Sequence, residues 1–281
     1  MDAPAPAELA VVVVAYNCRD LLDDCLASLE AQRESIALDV VVVDNASEDG
    51  AAELVRERYP WVRLLESDEN VGFACANNRA LRLVSAPHVL LLNPDTVVPQ
   101  GALRRAVDEL ARRPDVGMLG VKLVRPDGSL DHACKRGFPT PLAALAYFVG
   151  VGTRYTAAHV GEDEVAEVDA VNGAFMLVRA TALADVGDLD EQFWMYGEDL
   201  DWCRRFWDAR WRILYWPRVA VVHVKGGSSG ASRSKRANAA FHEAMWLFYR
   251  KHATGRARLA APLVWAAIRM KLAWSLAAAR G

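Results

Sequence analysis

The chain opens with long apolar runs. Leu9–Ala15 reads LAVVVVA, Leu38–Val43 reads LDVVVV, and His88–Leu92 reads HVLLL. Continuous β-branched or leucine runs of this length predict strands buried on both faces, because a strand with one wet face would alternate. Between the first two, Leu21, Leu22, Cys25, Leu26 and Leu29 fall at helical spacing. Further helical patterns cover Glu53–Tyr59, Phe73–Val84 and the amphipathic segment Leu103–Arg113, with strands at Val62–Leu65 and Val116–Val124. Strand and helix thus alternate through the first 124 residues, which predicts a mostly parallel sheet covered by helices on both faces.

The second half is less periodic. Asp127-Gly128 marks a turn, and residues 134–165 carry scattered glycine, proline and aromatic positions that predict loops and short helices. Val171–Arg179 reads as a loop entering a strand, and Glu198-Asp199 opens a helix through Asp201, Trp202 and Arg205. Arg212–Tyr215 and Val219–Val224 read as two strands, followed by the glycine- and serine-rich basic stretch Lys225–Arg236, expected to be a mobile loop. The simplest partition is one catalytic domain over residues 1–230 and a basic helical extension over 231–281.

In a parallel sheet of this kind, ligands bind beyond the carboxyl ends of the strands. The polar clusters Tyr16-Asn17, Asp44-Asn45 and Asn93-Pro94-Asp95 all fall there. Composition narrows the chemistry little: 53% of residues are hydrophobic and 25% charged, which excludes a disordered chain, and a net charge of −3 gives no global reason to expect nucleic acid. Five cysteines, scattered and without a CxxC pair, exclude a disulfide scaffold or zinc ribbon and fit a reducing compartment. The N-terminus MDAPAPAELA has neither the positive start nor the apolar core of a signal peptide, so a cytoplasmic location is expected.

Each polar cluster has a chemical reading and a plainer one. Asp95, held by a proline-containing turn after a buried strand, suits a hard divalent cation whose other ligands are substrate phosphates; it also suits a helix cap. Asp44 and Asn45 could bond a nucleobase or ribose, or simply form a capped turn. Asn70, Gly72, Phe73 and Asn77 sit at a helix start, where backbone N–H groups could meet a phosphate or a base or be capped internally. Glu198 and Asp199 follow the aromatic run Phe193-Trp194-Met195-Tyr196-Gly197. Such a frame raises a carboxylate pKa and suits a general base, while acids at a helix N-terminus are also common. His223 ends an apolar strand and gains interest only if it faces Asp95.

Taken in order, VVVVAYN (11–17), VVVDNASEDG (41–50), ENVGFACANN (69–78), LLLNPDT (90–96), VNGAFMLVR (171–179), FWMYGEDLDWCRR (193–205) and YWPRVAVVHVKGGSS (215–229) resemble the family 2 glycosyltransferases. The likeness covers roughly residues 9–230 and is most similar to the bacterial rhamnosyltransferase branch. It implies an α/β GT-A fold, a Rossmann-like nucleotide-binding and mostly parallel sheet flanked by helices, with a helical C-terminal extension. It also implies a nucleoside diphosphate sugar donor, dTDP-L-rhamnose first among them, and a saccharide acceptor that could be polyprenyl-diphosphate-linked, with Mg(II) or Mn(II) as cofactor and a homodimer as one assembly.

By the same resemblance Ala15, Tyr16, Asn17, Asp44, Asn45, Asn70, Gly72, Phe73 and Asn77 would line the nucleotide. Asn93 and Asp95 would form the DxD-type element, Asp95 and His223 would approach the metal, and Gly173 would lie beside the donor sugar. Asp199 would be the base of an inverting transfer, Glu198 would orient acceptor or donor, and Trp194 and Tyr196 would meet the acceptor. No QxxRW follows the acidic motif, which removes the processive branch. Two rivals are a sugar nucleotidyltransferase, disfavoured because Ala15-Tyr16-Asn17-Cys18 contains no glycine, and a non-catalytic nucleotide-sugar-binding subunit.

The charge is unevenly spread: residues 1–230 carry −12 and residues 231–281 carry +9. Leu259–Ala279 is the longest apolar stretch of that extension, but Arg269 and Lys271 interrupt it, at about 2.5–3.5 kcal/mol each for a spanning helix. A surface helix is therefore expected, with Arg258, Arg269 and Arg280, spaced by 11 residues, on one face. Contact with an anionic membrane surface follows as an expectation, and no nucleic-acid partner is expected.

Overall fold

The computed structural model describes residues 6–139, 156–224 and 235–278. Its centre is a nine-stranded sheet. The first strands are β1 (Leu9–Ala15), β2 (Leu38–Asp44), β3 (Arg63–Glu66) and β4 (His88–Leu92), followed by the two-residue β5 (Thr96–Val97) and by β6 (Val116–Val124). After the short β7 (Lys135–Arg136), β8 (Ala166–Glu167) and β9 (Ala170–Val171) come β10 (Phe175–Arg179) and β11 (Arg212–His223). The sheet order is β3-β2-β1-β4-β10-β6-β11-β5, with β8 paired to β11, while β7 and β9 form a separate pair. Every residue of β1 and β4 is buried, as continuous apolar runs require.

Helices α1 (Arg19–Glu30), α2 (Ala51–Arg58), α3 (Phe73–Leu81) and α4 (Ala102–Ala111) connect the early strands, so β1, β2, β3 and β4 all run parallel. β1 pairs with β2 on one side and with β4 on the other, which places the switch point of the sheet between β1 and β4. β10 departs from the expected parallel pattern. It runs antiparallel between β4 and β6, so its first residues lie at the same edge as the last residues of its neighbours. That reversal is what brings the loop 172–174 to the ligand edge.

Two expectations are corrected in the second half. Arg212–Tyr215 and Val219–Val224 are one strand, β11, interrupted by a register shift between Trp216 and Ala220. Pro217 lies within the shift, where a residue without an N–H cannot continue the ladder. The basic extension is two helices, α7 (Lys235–His252) and α8 (Ala261–Ala278), joined through a 3-10 turn at Gly255–Ala260. Arg258 lies in that turn and Arg280 outside the described residues, so the expected arginine face on a single helix does not form. The Gly/Ser-rich stretch lies outside the described residues over 225–234, and Lys235 and Arg236 begin α7 instead. α5 (Ala180–Val186) and α6 (Glu198–Asp208) complete the fold.

α7 is anchored to α6 by charge. Asp201, fully buried, takes Arg205 Nε at 2.9 Å on one oxygen, and Lys251 Nζ at 2.8 Å and His252 Nε2 at 2.7 Å on the other. Lys251 also reaches Asp190 at 2.6 Å. Burial opposes the Asp201 carboxylate, but the bonds from His252 and Lys251 outweigh it and hold its pKa below the usual 3.8. A depressed folded value means that this stabilisation is present above about 3.8 and is lost as pH falls through the folded value. Removing the acid takes the buried carboxylate from Arg205 and Lys251 and leaves His252 Nε2 without its partner, so Asp201→Ala should destabilise the fold by about 3–5 kcal/mol. Chemical denaturation at neutral pH measures this, and a change below about 1 kcal/mol would show that the cluster does not anchor α7.

Candidate active site

The carboxyl ends of β1, β2, β4, β6 and β11 and the start of β10 form one polar edge. On the β2 side, Asp44 is 4% exposed. Its Oδ2 accepts from the Ser47 N–H at 3.1 Å, while its Oδ1 is buried with no hydrogen-bond partner. A buried carboxylate oxygen left open is costly unless a ligand N–H or O–H satisfies it. Ala15 ends β1, and its carbonyl receives the Asn45 N–H at 2.8 Å; Tyr16 stands on the rim, 40% exposed.

Asn17 has a left-handed φ of 48° and braces the opposite loop, its Oδ1 accepting from Glu48 N at 2.8 Å and its N donating to Ser47 Oγ at 3.0 Å. Asn45 is similarly committed. Its Nδ2 donates to Asn70 Oδ1 at 3.1 Å, and its Oδ1 accepts from Val71 N at 3.0 Å. Asn70 Oδ1 also takes Gly72 N at 3.0 Å. Asn77 is buried and donates to the Phe73 carbonyl at 2.9 Å. These side chains therefore shape the loop before α3 through one another. Gly72 has a φ of 89°, and a Cβ there would lie 2.4 Å from the Trp194 carbonyl oxygen, so glycine is what lets the two loops meet. The Phe73 N–H donates to that carbonyl at 2.8 Å.

On the β4 side, Asn93 N donates to the Ala174 carbonyl at 3.1 Å, tying the strand end to the loop of Gly173. Asp95 is 5% exposed, and its Oδ1 has no hydrogen-bond partner. His223, at the end of β11, brings Nε2 to 3.4 Å from that oxygen, within ion-pair distance but not in hydrogen-bond alignment. The other ring nitrogen, Nδ1, lies 3.0 Å from Asp131 Oδ2. Burial lowers the imidazole pKa, yet the two carboxylates dominate and raise it to about 9.

Asp131 escaped the sequence reading; it arrives through the turn after β6, where its N–H bonds the Leu123 carbonyl at 2.9 Å. No group of three or more His, Cys, Asp or Glu placed to hold a metal occurs among the described residues. The open Asp95 carboxylate oxygen fits a Mg(II)- or Mn(II)-like ion that completes its shell with substrate phosphates and water, and His223 Nε2 would join it only on giving up its proton.

The third part of the site is the turn before α6. Tyr196 and Gly197 both have positive φ, 69° and 82°, and the sharp turn they make starts the helix at Glu198. Asp199 Oδ2 accepts from Arg136 Nη2 at 2.5 Å and from Gly173 N at 3.2 Å, and its Oδ1 from Leu200 N at 2.8 Å. Arg136 was not singled out from sequence, because it lies in a stretch without periodicity; a buried arginine on a two-residue strand leaves no pattern. Glu198 differs from its neighbour. Burial, followed by the negative charge of Asp199, raises its pKa to about 8, and its Oε2 has no hydrogen-bond partner. Its carboxyl is thus biased toward the neutral form, in which it can donate a hydrogen bond. Trp194 has Arg236 of α7 4.0 Å above its ring and a buried Nε1 without a hydrogen-bond partner; Tyr196 packs edge-on against Phe241 of α7 at 5.8 Å.

Comparison with known proteins gives one consistent answer. The model of the family described as "Glycosyltransferase like family 2" matches residues 5–240. An N-acetylglucosaminyl-diphospho-decaprenol L-rhamnosyltransferase of Mycobacterium tuberculosis is 32% identical over 275 residues, covering 92% of this chain and 88% of that protein. Among solved structures, a mannosyltransferase of Pyrobaculum calidifontis in complex with GDP-Man and Mn2+ has a TM-score of 0.61 at 22% identity, covering 98% of this chain and 76% of that one. S. aureus TarS 1-349 has a TM-score of 0.59 at 17% identity, covering 92% and 69%. These structures share the GT-A fold expected from the sequence.

The raised Glu198 pKa makes a signed prediction. A folded value above the unfolded 4.5 means that stability falls as pH rises from about 4.5 to about 8. Glu198→Gln removes that loss. Its melting temperature should match the parent near pH 4 and exceed it near pH 8. Parallel melting curves of the two proteins across this range would contradict the buried, protonated state.

Proposed function

The chain belongs to glycosyltransferase family 2, and on that premise we propose that it transfers L-rhamnose from dTDP-L-rhamnose to a hydroxyl of a polyprenyl-diphosphate-linked saccharide, with inversion and without processivity. The observation that carries the reading is a pair of buried carboxylate oxygens without hydrogen-bond partners, Asp44 Oδ1 and Asp95 Oδ1, on the two sides of the switch point. A nucleoside diphosphate has the matching groups: a base N–H for Asp44 and a diphosphate, with its cation, for Asp95. The likeness to the mycobacterial enzyme supports the sugar and the lipid-linked acceptor. The same reading places the protein at the cytoplasmic face of a membrane, with residues 1–230 catalytic and 231–281 an appended extension.

In this reading the acceptor oxygen attacks the anomeric carbon as its bond to the diphosphate oxygen breaks. The nucleoside diphosphate leaves with the bonding pair, and the hydroxyl proton passes to Asp199. Inversion follows from a single displacement. A Mg(II) or Mn(II) ion held by Asp95 and His223 would neutralise charge on the departing diphosphate. Arg136 and the Gly173 N–H fix the Asp199 carboxylate beside the loop 172–174. Glu198, adjacent but biased toward the neutral form, is suited to donate a hydrogen bond to a sugar oxygen rather than to take the proton. Trp194, under Arg236, and Tyr196, against Phe241, are the aromatic residues that would border a saccharide acceptor.

Two substitutions test separate parts. Asp95→Ala should abolish the contribution of Mn(II) to donor binding, weakening calorimetric affinity for dTDP-L-rhamnose by at least about tenfold; an unchanged Mn(II)-dependent affinity would remove Asp95 from the cation site. Asp199→Asn should lower turnover by roughly 100- to 10,000-fold while donor affinity stays within about threefold. Near-normal turnover in a variant that melts like the parent would remove Asp199 from the role of base.

A further inference from the structure

α8 is apolar but not buried. The 20-residue stretch Ala257–Leu276 has a mean hydropathy of 1.2, and only 6% of its most apolar window is buried. Leu263, Met270 and Trp274 are 76%, 68% and 73% exposed, and Leu259 in the preceding turn is 81% exposed. Positions 263, 270 and 274 are seven and four residues apart, so their side chains form one stripe along the helix. The face away from the stripe is the one that packs: Ile268 is buried, Leu272 is half-buried, and Ser275 Oγ accepts from Asn238 Nδ2 of α7 at 2.9 Å.

We propose that the exposed face of α8, with Leu259, Leu263, Met270 and Trp274, is a docking surface for an anionic lipid bilayer, on which the helix lies flat. The proposal rests on the reading above for its biological sense, since a polyprenyl-linked acceptor is held in such a bilayer, but its test uses no substrate. Three observations select this occupant. First, residues 253–281 hold five basic residues and no Asp or Glu, so the segment that bears the stripe complements negative headgroups. Second, Arg269, on the flank of the stripe, and Arg258, in the turn before α8, are exposed, with the Arg269 guanidinium 5.8 Å from the Trp265 ring. A basic residue and a tryptophan side by side suit the headgroup level, whereas a two-fold pairing of copies would set this acid-free basic segment against itself. Third, crossing the bilayer would require α8 to abandon α7 and to bury Arg269 and Lys271 in hydrocarbon.

The attachment is also placed for use. Ser275 of α8 bonds Asn238 near the start of α7, and Arg236, two residues earlier, covers Trp194 of the acceptor loop at 4.0 Å. The Trp274 end of the stripe thus lies toward the acceptor side of the site. A saccharide standing up from a polyprenyl diphosphate in the same bilayer would approach Trp194 and Tyr196 from the direction in which α8 is docked.

Sedimentation of the full chain with vesicles of phosphatidylcholine and phosphatidylglycerol, against vesicles of phosphatidylcholine alone, tests the proposal. Binding should require phosphatidylglycerol and should weaken at least about tenfold as salt rises from about 0.1 to about 0.5 M. The triple variant Leu263→Glu, Met270→Glu, Trp274→Glu should bind roughly 100-fold more weakly while binding dTDP-L-rhamnose and melting like the parent. Equal binding by parent and variant would overturn the proposal. So would a stable dimer in light scattering that the triple variant dissolves, or parent protein that resists extraction from vesicles by alkaline carbonate. Loss of donor binding in the parent would instead fail the enzymatic reading and leave the vesicle result standing on its own.

Discussion

The pairing of β1 with β4 is the constraint on which the chemistry depends. Leu9 through Val13 lie in register with His88 through Leu92, and β2 pairs with the other side of β1. Where the strand order reverses, the connections leaving the two neighbouring strands turn to opposite sides and open a crevice at their carboxyl ends. Asp44 falls on one wall of that crevice and Asp95 on the other. Neither side chain is there by local preference: each continues a strand whose position is set by burial of valine and leucine on both faces. The apolar core thus fixes the separation of two buried polar groups.

The antiparallel β10 adds the third wall. Because it runs against β4, the residues that precede it, Asn172 to Ala174, meet the residues that follow β4. Asp199 is then held to that loop by the Gly173 N–H and to the β7–β9 pair through Arg136, which also donates to the Val171 carbonyl. The site is completed by α7, which lies against the turn before α6 through Phe241 and Arg236 and is locked by the charges around Asp201. A helix from the basic extension therefore packs against the turn that carries Trp194 and Tyr196, and the net charge of −3 hides the uneven spread of charge between the two segments.

How much of this the sequence reveals depends on the physical origin of each feature. β1, β4 and β6 occupy the predicted residues, Leu9–Ala15, His88–Leu92 and Val116–Val124, since strands buried on both faces leave continuous apolar runs. The direction of β10 was not legible, because antiparallel and parallel strands buried on both faces look alike in one dimension. Asp131 and Arg136 were missed for a related reason: each is buried by a partner distant in sequence, His223 or Asp199, and lies where no periodicity marks a core. Asn17, Asn45, Asn70 and Asn77 stood out as polar residues at the right edge, yet much of their bonding capacity holds loops in place. Sequence locates such residues without saying whether their donors face a ligand or the chain. The 11-residue arginine spacing misled because it assumes one helix, and the 3-10 turn at Gly255–Ala260 divides the extension in two.

Phosphorus NMR of a reaction between dTDP-L-rhamnose and a polyprenyl-diphosphate-linked N-acetylglucosamine, with Mn(II) kept low enough to preserve line width or replaced by Mg(II), tests the central claim most directly. The account predicts that the donor signals give way to those of free dTDP in step with a rhamnosylated lipid, in equal amounts. Persistence of the donor, or its conversion to dTTP when pyrophosphate is added without any sugar reaching the acceptor, would contradict it.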